Sequence, residues 1–252
     1  IPSIVGDGIY WHRQENTGKR GAQVAVLRMY DADAFAYVLT VDSDSELDPA
    51  AIDGGYAGVA IEQMLRAMSN PKIQATTGMI YIRNYDQNWL TRAADLDIGC
   101  SCVQMRASRS MLGALETTSG ALAMYRAELL YDHLEAYAVE CGTGDDRWLA
   151  LRALQRGEVV AVAEATVRTD MPSTLKQTKS QRQRWARSWF WMLPFVLTRL
   201  SLKQIISPVF GLTQLIVAPV IIFYALLATV LGFEDRMQHW KVFGIYILAY
   251  VV

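Results

Sequence analysis

Four short constellations in this chain combine side chains whose types and spacing could do chemistry. Asp42-Ser43-Asp44 closes an apolar run at residues 35–41. Two carboxylates one residue apart can meet a divalent cation and, through it, a diphosphate, because hard cations such as Mg2+ bridge one or two carboxylates to phosphate oxygens. An acidic pair at a strand end is also an ordinary solvated loop or helix cap. Gly144-Asp145-Asp146-Arg147 opens a helical stretch at 148–156. Adjacent carboxylates repel, which can bring one of them into the range of a general base. The plain alternative is that both favour the positive end of the helix dipole. Gln181, Arg184 and Trp185 follow the pattern QxxRW in a basic, aromatic-rich helix at 180–191. Arginine can neutralise a diphosphate bidentately, and a tryptophan face suits a sugar ring. The same helix has the composition of an interfacial helix, with Trp185, Trp189 and Trp191 at headgroup level. Finally, residues 16–21 place Lys19 and Arg20 in a glycine-containing turn that could hold phosphates, although the full nucleotide-binding loop pattern is absent.

These groups need a scaffold to bring them together. Residues 35–41 read as a buried strand of a parallel sheet, 49–68 as a helix and 73–82 as a strand. Residues 85–112 form a long helical stretch, and 117–125 and 158–164 are further strands. Such alternation predicts an α/β domain with helices on both faces of its sheet. Ligands in such folds bind at the carboxyl ends of strands, where Asp42 and Asp44 fall.

Composition narrows the function. The net charge is −1 over 252 residues, so nothing argues for nucleic acid, whose binders carry a strongly basic domain. With 52% hydrophobic, 10% aromatic and 19% charged residues, disorder is excluded. Cys100, Cys102 and Cys141 make no disulfide framework. His12, His133 and His239 do not pair with them at metal spacing, and Cys100 and Cys102 would point apart on a helix.

The mean hydropathy of +0.13 reflects the C-terminal part of the chain. No charge occurs between Lys203 and Glu234, and residues 205–231 are long enough to span a bilayer, with Pro208 and Pro219 as tolerated kinks. Residues 242–252 read as the start of a second span. The seven basic residues from Lys176 to Lys203, with no acidic one among them, favour the cytoplasmic side for what precedes the span. The expected organisation is a cytoplasmic domain at 1–172, amphipathic interfacial helices at 173–204, and membrane helices at 205–231 and 242–252. Ile1 and the uncharged run reaching Val252 lead us to expect a fragment of a longer protein.

Read in order, ENTGKRGAQ, VDSDSELDP, TTSGALAMYR, GTGDDRWLALRAL and QRQRWARSWF resemble the processive family 2 glycosyltransferases, namely the hyaluronan synthases and the chitooligosaccharide synthases of nodulation. The resemblance covers about residues 15–230. It implies a GT-A-type α/β domain, with a central mostly parallel sheet flanked by helices, that elongates a β-linked polysaccharide from UDP-sugars. By the same resemblance Lys19, Asp42, Asp44 and Arg184 bind the UDP-sugar, and Asp44 holds Mg2+ or Mn2+. Asp146 is the catalytic base, while Gly120, Tyr125, Gln181 and Trp185 shape the acceptor site. The partners implied are a UDP-sugar donor, the growing polysaccharide and membrane lipids. Three features depart from the family pattern. Only 18 residues precede Lys19, too few for an earlier acidic loop that contacts uridine. Trp148 stands where a histidine is usual, and Ala121 where a proline is common. Two other functions fit the same residues: a single-addition transferase acting on a lipid-linked acceptor, and a non-catalytic membrane scaffold that binds sugar nucleotides.

Overall fold

A computed structural model describes residues 3–6, 9–47, 59–231 and 241. They fall into two compact units, Ile1–Gln204 and Ile205–Val252. Asp7 and Gly8, the first part of the helix expected at 49–68, and residues 242–252 lie outside the described residues.

The first unit opens with a hairpin of β1 (Ser3–Gly6) and β2 (Ile9–Trp11), followed by helix α1 (Gly18–Leu27). Strands β3 (Tyr37–Val41) and β4 (Glu46–Leu47) are joined by a tight turn, and α2 (Val59–Met68) precedes the long β5 (Ile73–Ile82). Helix α3 (Trp89–Ile98) runs through a π-helical turn, Gly99–Met105, into α4 (Arg106–Met111). Then come β6 (Leu122–Arg126), the short helices α5 (Ala127–Asp132) and α6 (Leu134–Glu140), α7 (Asp145–Arg156), β7 (Glu158–Thr169) and α8 (Leu175–Arg199). The last helix, α9, is Leu202–Leu231.

The main sheet has the order β3-β6-β5-β7-β4 and is mixed, which corrects the expectation of a mostly parallel one. Among the described residues only β5 and β7 pair in parallel; β3 with β6, β6 with β5, and β4 with β7 are antiparallel. Strands β3, β5 and β7 therefore run in one direction, as alternation with helices suggests. The reversed β6 is inserted between β3 and β5, a placement that local pattern does not encode. For the same reason β3 is a half-buried edge strand rather than a buried parallel one.

The boundaries differ from expectation where side chains intercept the backbone. The helix expected at 85–112 starts later because Asn88 caps α3, accepting from Leu90 and Thr91 N–H while Thr91 bonds back to the Asn88 N–H. The strand expected at 117–125 shrinks to β6 because residues 117–121 form a side-chain-bonded loop. Strand β7 outruns its expected end at residue 164, bulging opposite Gly78 before it continues to Thr169. A Cβ on Gly78 would lie 2.5 Å from the Ala165 carbonyl, so only glycine fits beneath the bulge.

Both faces of the sheet are covered. Leu122 and Met124 of β6 join Met64 and Met68 of α2, Ile98 of α3 and Val162 and Val167 of β7 in one core cluster. Successive strand residues face opposite sides, so Ala123 and Tyr125 look the other way, and Tyr125 approaches the start of α7 through Thr118. Burying a side chain such as Leu122 or Met64 contributes about 1.5–3 kcal/mol.

The second unit contains the greater part of α9. The membrane helix expected at 205–231 is helical, as part of Leu202–Leu231, without the character of a span among its described residues. Among the described residues no helix is long and apolar enough to cross a membrane.

Candidate active site

Register explains why distant motifs meet. Val41 pairs with Leu122, so the chain leaving β3 and the chain entering β6 share one end of the sheet. That end also holds the carboxyl termini of β5 and β7. Because β3 and β4 occupy opposite edges, residues 42–45 must cross this end to connect them. The crossing turn is closed by Ser45 N–H donating to the Asp42 carbonyl at 3.0 Å.

Three of the residues singled out in the sequence meet here. Lys19, in the first turn of α1, donates to Asp42 Oδ1 in an ion pair. Gly120 abuts both, since a Cβ there would sit 3.0 Å from Asp42 Oδ2 and 3.1 Å from Lys19 Nζ. Any side chain at this position would press on the pair. Asp44 lies further along the same turn, exposed, and accepts a long bond of 3.5 Å from the Thr169 hydroxyl at the end of β7. Beyond it, Arg83 bonds Glu46 at 2.7 Å and Asp170 at 2.5 Å, clipping the ends of β5 and β7 to the turn.

Among the described residues no group of three His, Cys, Asp or Glu side chains could cage a metal. The donor set suits another arrangement. Asp44 is solvent-accessible and only weakly engaged, while Asp42 is held by Lys19. One carboxylate completed by phosphate oxygens and water is how Mg2+ commonly sits in phosphate sites.

The two acids that start α7 are held differently. Asp145 Oδ1 lies 3.8 Å from Arg20 Nε and accepts from the Cys141 thiol at 3.4 Å. Burial and this carboxylate push the Cys141 thiol up to about 12. Asp146 Oδ1 accepts its neighbour's backbone N–H, from Arg147, at 3.0 Å. No hydrogen bond among the described residues engages Asp146 Oδ2. Desolvation raises the Asp146 carboxyl above the ordinary carboxylate range, against the Arg147 N–H and the charges of Arg147, Arg106 and Lys19.

Helix α8 leans on this region. A Cβ on Gly144 (φ +96°) would meet Ser188 Cβ at 2.4 Å, and one on Gly142 (φ +65°) would meet Trp191 Nε1 at 2.8 Å. Both positive-φ glycines therefore permit the loop before α7 to touch α8 directly. Gln181 Nε2 donates to Met171 Sδ at 3.7 Å, two residues beyond Thr169. Arg184 and Trp185 are exposed. Among the described residues, neither contacts Asp42, Asp44 or Asp146. Trp185 instead receives Arg182 over its ring at 4.6 Å, and Arg182 also pairs with Asp97 at 2.6 Å.

Tyr125 requires correction as an acceptor-binding residue. It is 1% exposed and its hydroxyl is bonded to Thr118 at 2.6 Å, so no acceptor can touch it. Alternation along β6 turns it inward; the motif that suggested it carries no information about which side faces the site.

Other participants carried weak signals or none. Arg20 sits beside Lys19 in the same turn, and only the fold shows that it faces Asp145. Thr118 and Thr169 are unremarked polar residues at the ends of β6 and β7. A basic cluster flanks Asp146: Arg109 pairs with the buried Glu116 at 2.7 Å, and the half-buried Arg147 has its Nε and Nη1 buried and unpartnered among the described residues. Burial lowers the Arg147 pKa, while Glu116 and Asp146 raise it. Trp148, in the place of a histidine, is core: it packs on Tyr137 at 5.6 Å and receives Arg152 over its ring at 4.7 Å.

Residues 37–251 match the model of glycosyl transferase family group 2. The chain is 34% identical over 181 residues to a hyaluronan synthase of Streptococcus pyogenes, covering 69% of this chain and 40% of that protein. It is likewise 34% identical over 183 residues to an N-acetylglucosaminyltransferase of Rhizobium meliloti strain 1021, covering 70% and 40%. The chain thus spans about two fifths of the curated relatives it matches. Among solved structures it is similar to a mannosyltransferase of Pyrobaculum calidifontis in complex with GDP-Man and Mn2+, at 16% identity and a TM-score of 0.47, covering 94% of this chain and 66% of that one.

Proposed function

Since the chain belongs to glycosyl transferase family group 2, we propose that it elongates a β-linked polysaccharide from UDP-sugars by direct, inverting displacement. The observation that carries this reading is the cluster at one end of the sheet. There Lys19, Asp42 and Gly120 abut, and Thr118, two residues before Gly120, bonds the Asp146 carbonyl at 3.0 Å.

Asp146 Oδ2 takes the acceptor hydroxyl proton as that oxygen bonds to the anomeric carbon. The bond from this carbon to the diphosphate breaks, and UDP leaves with the electron pair. A carboxyl raised by desolvation is a stronger base than an ordinary aspartate. Asp44 would hold Mg2+ or Mn2+, which would neutralise charge on the diphosphate. Lys19, fixed by Asp42, lies beside the same phosphates, and Arg184 reaches them from α8. Gln181 and Trp185 contact the acceptor, with Gly120 keeping the entrance clear.

Membrane embedding belongs to this proposal. Residues 205–231 carry no charge and lie within one 30-residue helix, about 45 Å long at 1.5 Å per residue. The basic run before it favours a cytoplasmic catalytic unit, with the polymer leaving through the membrane part.

The test is incubation of the intact membrane protein with individual UDP-sugars, then with pairs, in Mg2+ or Mn2+. Metal-dependent UDP release and a polymer cut by a specific glycan hydrolase are expected. A product one sugar longer than its acceptor would favour the single-addition reading. Absence of UDP release with every donor would overturn catalysis altogether.

A further inference from the structure

Tyr125 does no work in the reaction above, yet its hydroxyl begins a directed chain that ends at the proposed base. Its Oη lies 2.6 Å from Thr118 Oγ1, and Thr118 Oγ1 donates to the Asp146 carbonyl at 3.0 Å. A threonine hydroxyl has one proton to give. With that proton on the Asp146 carbonyl, the tyrosine must be the donor in the shorter bond. Burial raises the tyrosine pKa, so the phenol keeps its proton at physiological pH.

The loop carrying Thr118 is tied to the central strands. Ser119 N–H donates to Thr77 Oγ1 at 2.9 Å, Thr77 Oγ1 donates to the Leu122 carbonyl at 3.0 Å, and Ala121 N–H donates to Ser119 Oγ at 3.1 Å. Strands β5 and β6 thus present the Thr118 hydroxyl at a defined point. The start of α7 needs such an anchor, because its N-cap, Gly144, has no side chain with which to cap. The Asp146 carboxylate is in turn tied to the helix start through Oδ1 and the Arg147 N–H. Where this backbone sits therefore decides where Oδ2 points.

We propose that Tyr125 and Thr118 are positioning residues that set the Asp146 carboxylate against the acceptor hydroxyl by holding the Asp146 backbone carbonyl. The inference rests on the reading of Asp146 as the base. A displacement of the base by a fraction of an ångström is costly, since about 1 Å of misplacement can lose about a hundredfold in rate.

The test compares Tyr125→Phe, Thr118→Val and Thr118→Ser with Tyr137→Phe in the intact enzyme. Tyr137 is also buried, and its hydroxyl donates to Gln23 at 2.6 Å without touching Asp146, so it controls for loss of a buried tyrosine hydrogen bond. Tyr125→Phe and Thr118→Val should each lower kcat about tenfold, leaving the donor KM and UDP binding within about twofold. Thr118→Ser, which keeps the hydroxyl, should stay within about threefold of the parent kcat, and Tyr137→Phe should match the parent. Unchanged kcat in Tyr125→Phe would overturn the proposal, as would parallel losses of kcat and donor binding. Should Thr118→Val fail to fold, Tyr125→Phe against Tyr137→Phe decides. Asp146→Asn in the same assay separates the two levels: if it retains turnover, the reading of the base falls; if it is inactive while Tyr125→Phe is normal, only the positioning role falls.

Discussion

At the scale of single residues, the two neighbouring acids illustrate how environment divides labour. Asp145 is engaged by Arg20 and Cys141, whereas Asp146 keeps one oxygen without a hydrogen bond among the described residues. Asp146→Asn should therefore lower turnover by about two to four orders of magnitude, the usual value of a general base, with UDP binding retained. Asp145→Asn should be the milder change; a larger loss at Asp145 would move the base by one residue. Desolvation raises the Asp146 carboxyl, so its proton is bound more tightly in the folded state than in the unfolded chain. Stability then falls as pH rises from the ordinary carboxylate range through the raised value. Asp146→Asn, a neutral isostere, should melt no lower than the parent at pH 7 even though it is inactive. The base must be ionised to act, so kcat/KM should rise with pH through a limb lying above the usual aspartate value. A limb at or below about pH 4 would contradict the assignment. Asp44 is accessible and weakly held, and Asp44→Asn should abolish the metal-dependent part of UDP binding without shifting the melting temperature. Titration of UDP with and without Mn2+ reads this directly.

At the scale of elements, the contact between the α7 loop and α8 has the least tolerance. Gly144 combines a left-handed φ with a neighbour 2.4 Å from any added Cβ. Gly144→Ala should cost about 1–3 kcal/mol from backbone strain, and it should push α8 away from the loop. Faster amide exchange confined to the start of α7 and to residues near Ser188 is the expected signature, and uniform exchange would count against a local effect. Much of this element scale was legible beforehand. Residues 73–82 form the expected strand with the expected bounds, because β-branched and aromatic residues dominate the segment despite Gln74 and Gly78. The errors arose where side-chain hydrogen bonds compete with regular structure, as at Asn88 and in the 117–121 loop. Their cost or benefit depends on partners far along the chain, such as Thr77.

At the scale of the whole molecule, the proposed membrane anchor turns on residues 205–231. If residues 205–231 anchor it, Val217→Arg with Ile222→Arg should release the chain from membranes on alkaline extraction, since each central charge costs about 2.5–3.5 kcal/mol to insert. Continued retention of the double variant would place the membrane attachment elsewhere, with the aromatic face of α8 as the next region to examine.

Residue order alone identified the family, because five motifs in one sequence constrain each other far more than any one does. It also located the strand ends where Asp42 and Asp44 fall, the positive-to-apolar transition before residue 205, and the direction of three strands. Tertiary structure decided the rest. It inserted β6 antiparallel between β3 and β5, and this register is what brings Gly120 against Lys19 and Asp42. It turned Tyr125 inward, away from any acceptor and toward Thr118. It also gave Asp145 and Asp146 different partners although they are chemically identical and adjacent. The physical reason is common to all three. A motif specifies which groups are available, whereas strand order, side-chain alternation and desolvation depend on partners elsewhere in the chain, as Gly120 depends on Lys19 and Asp42.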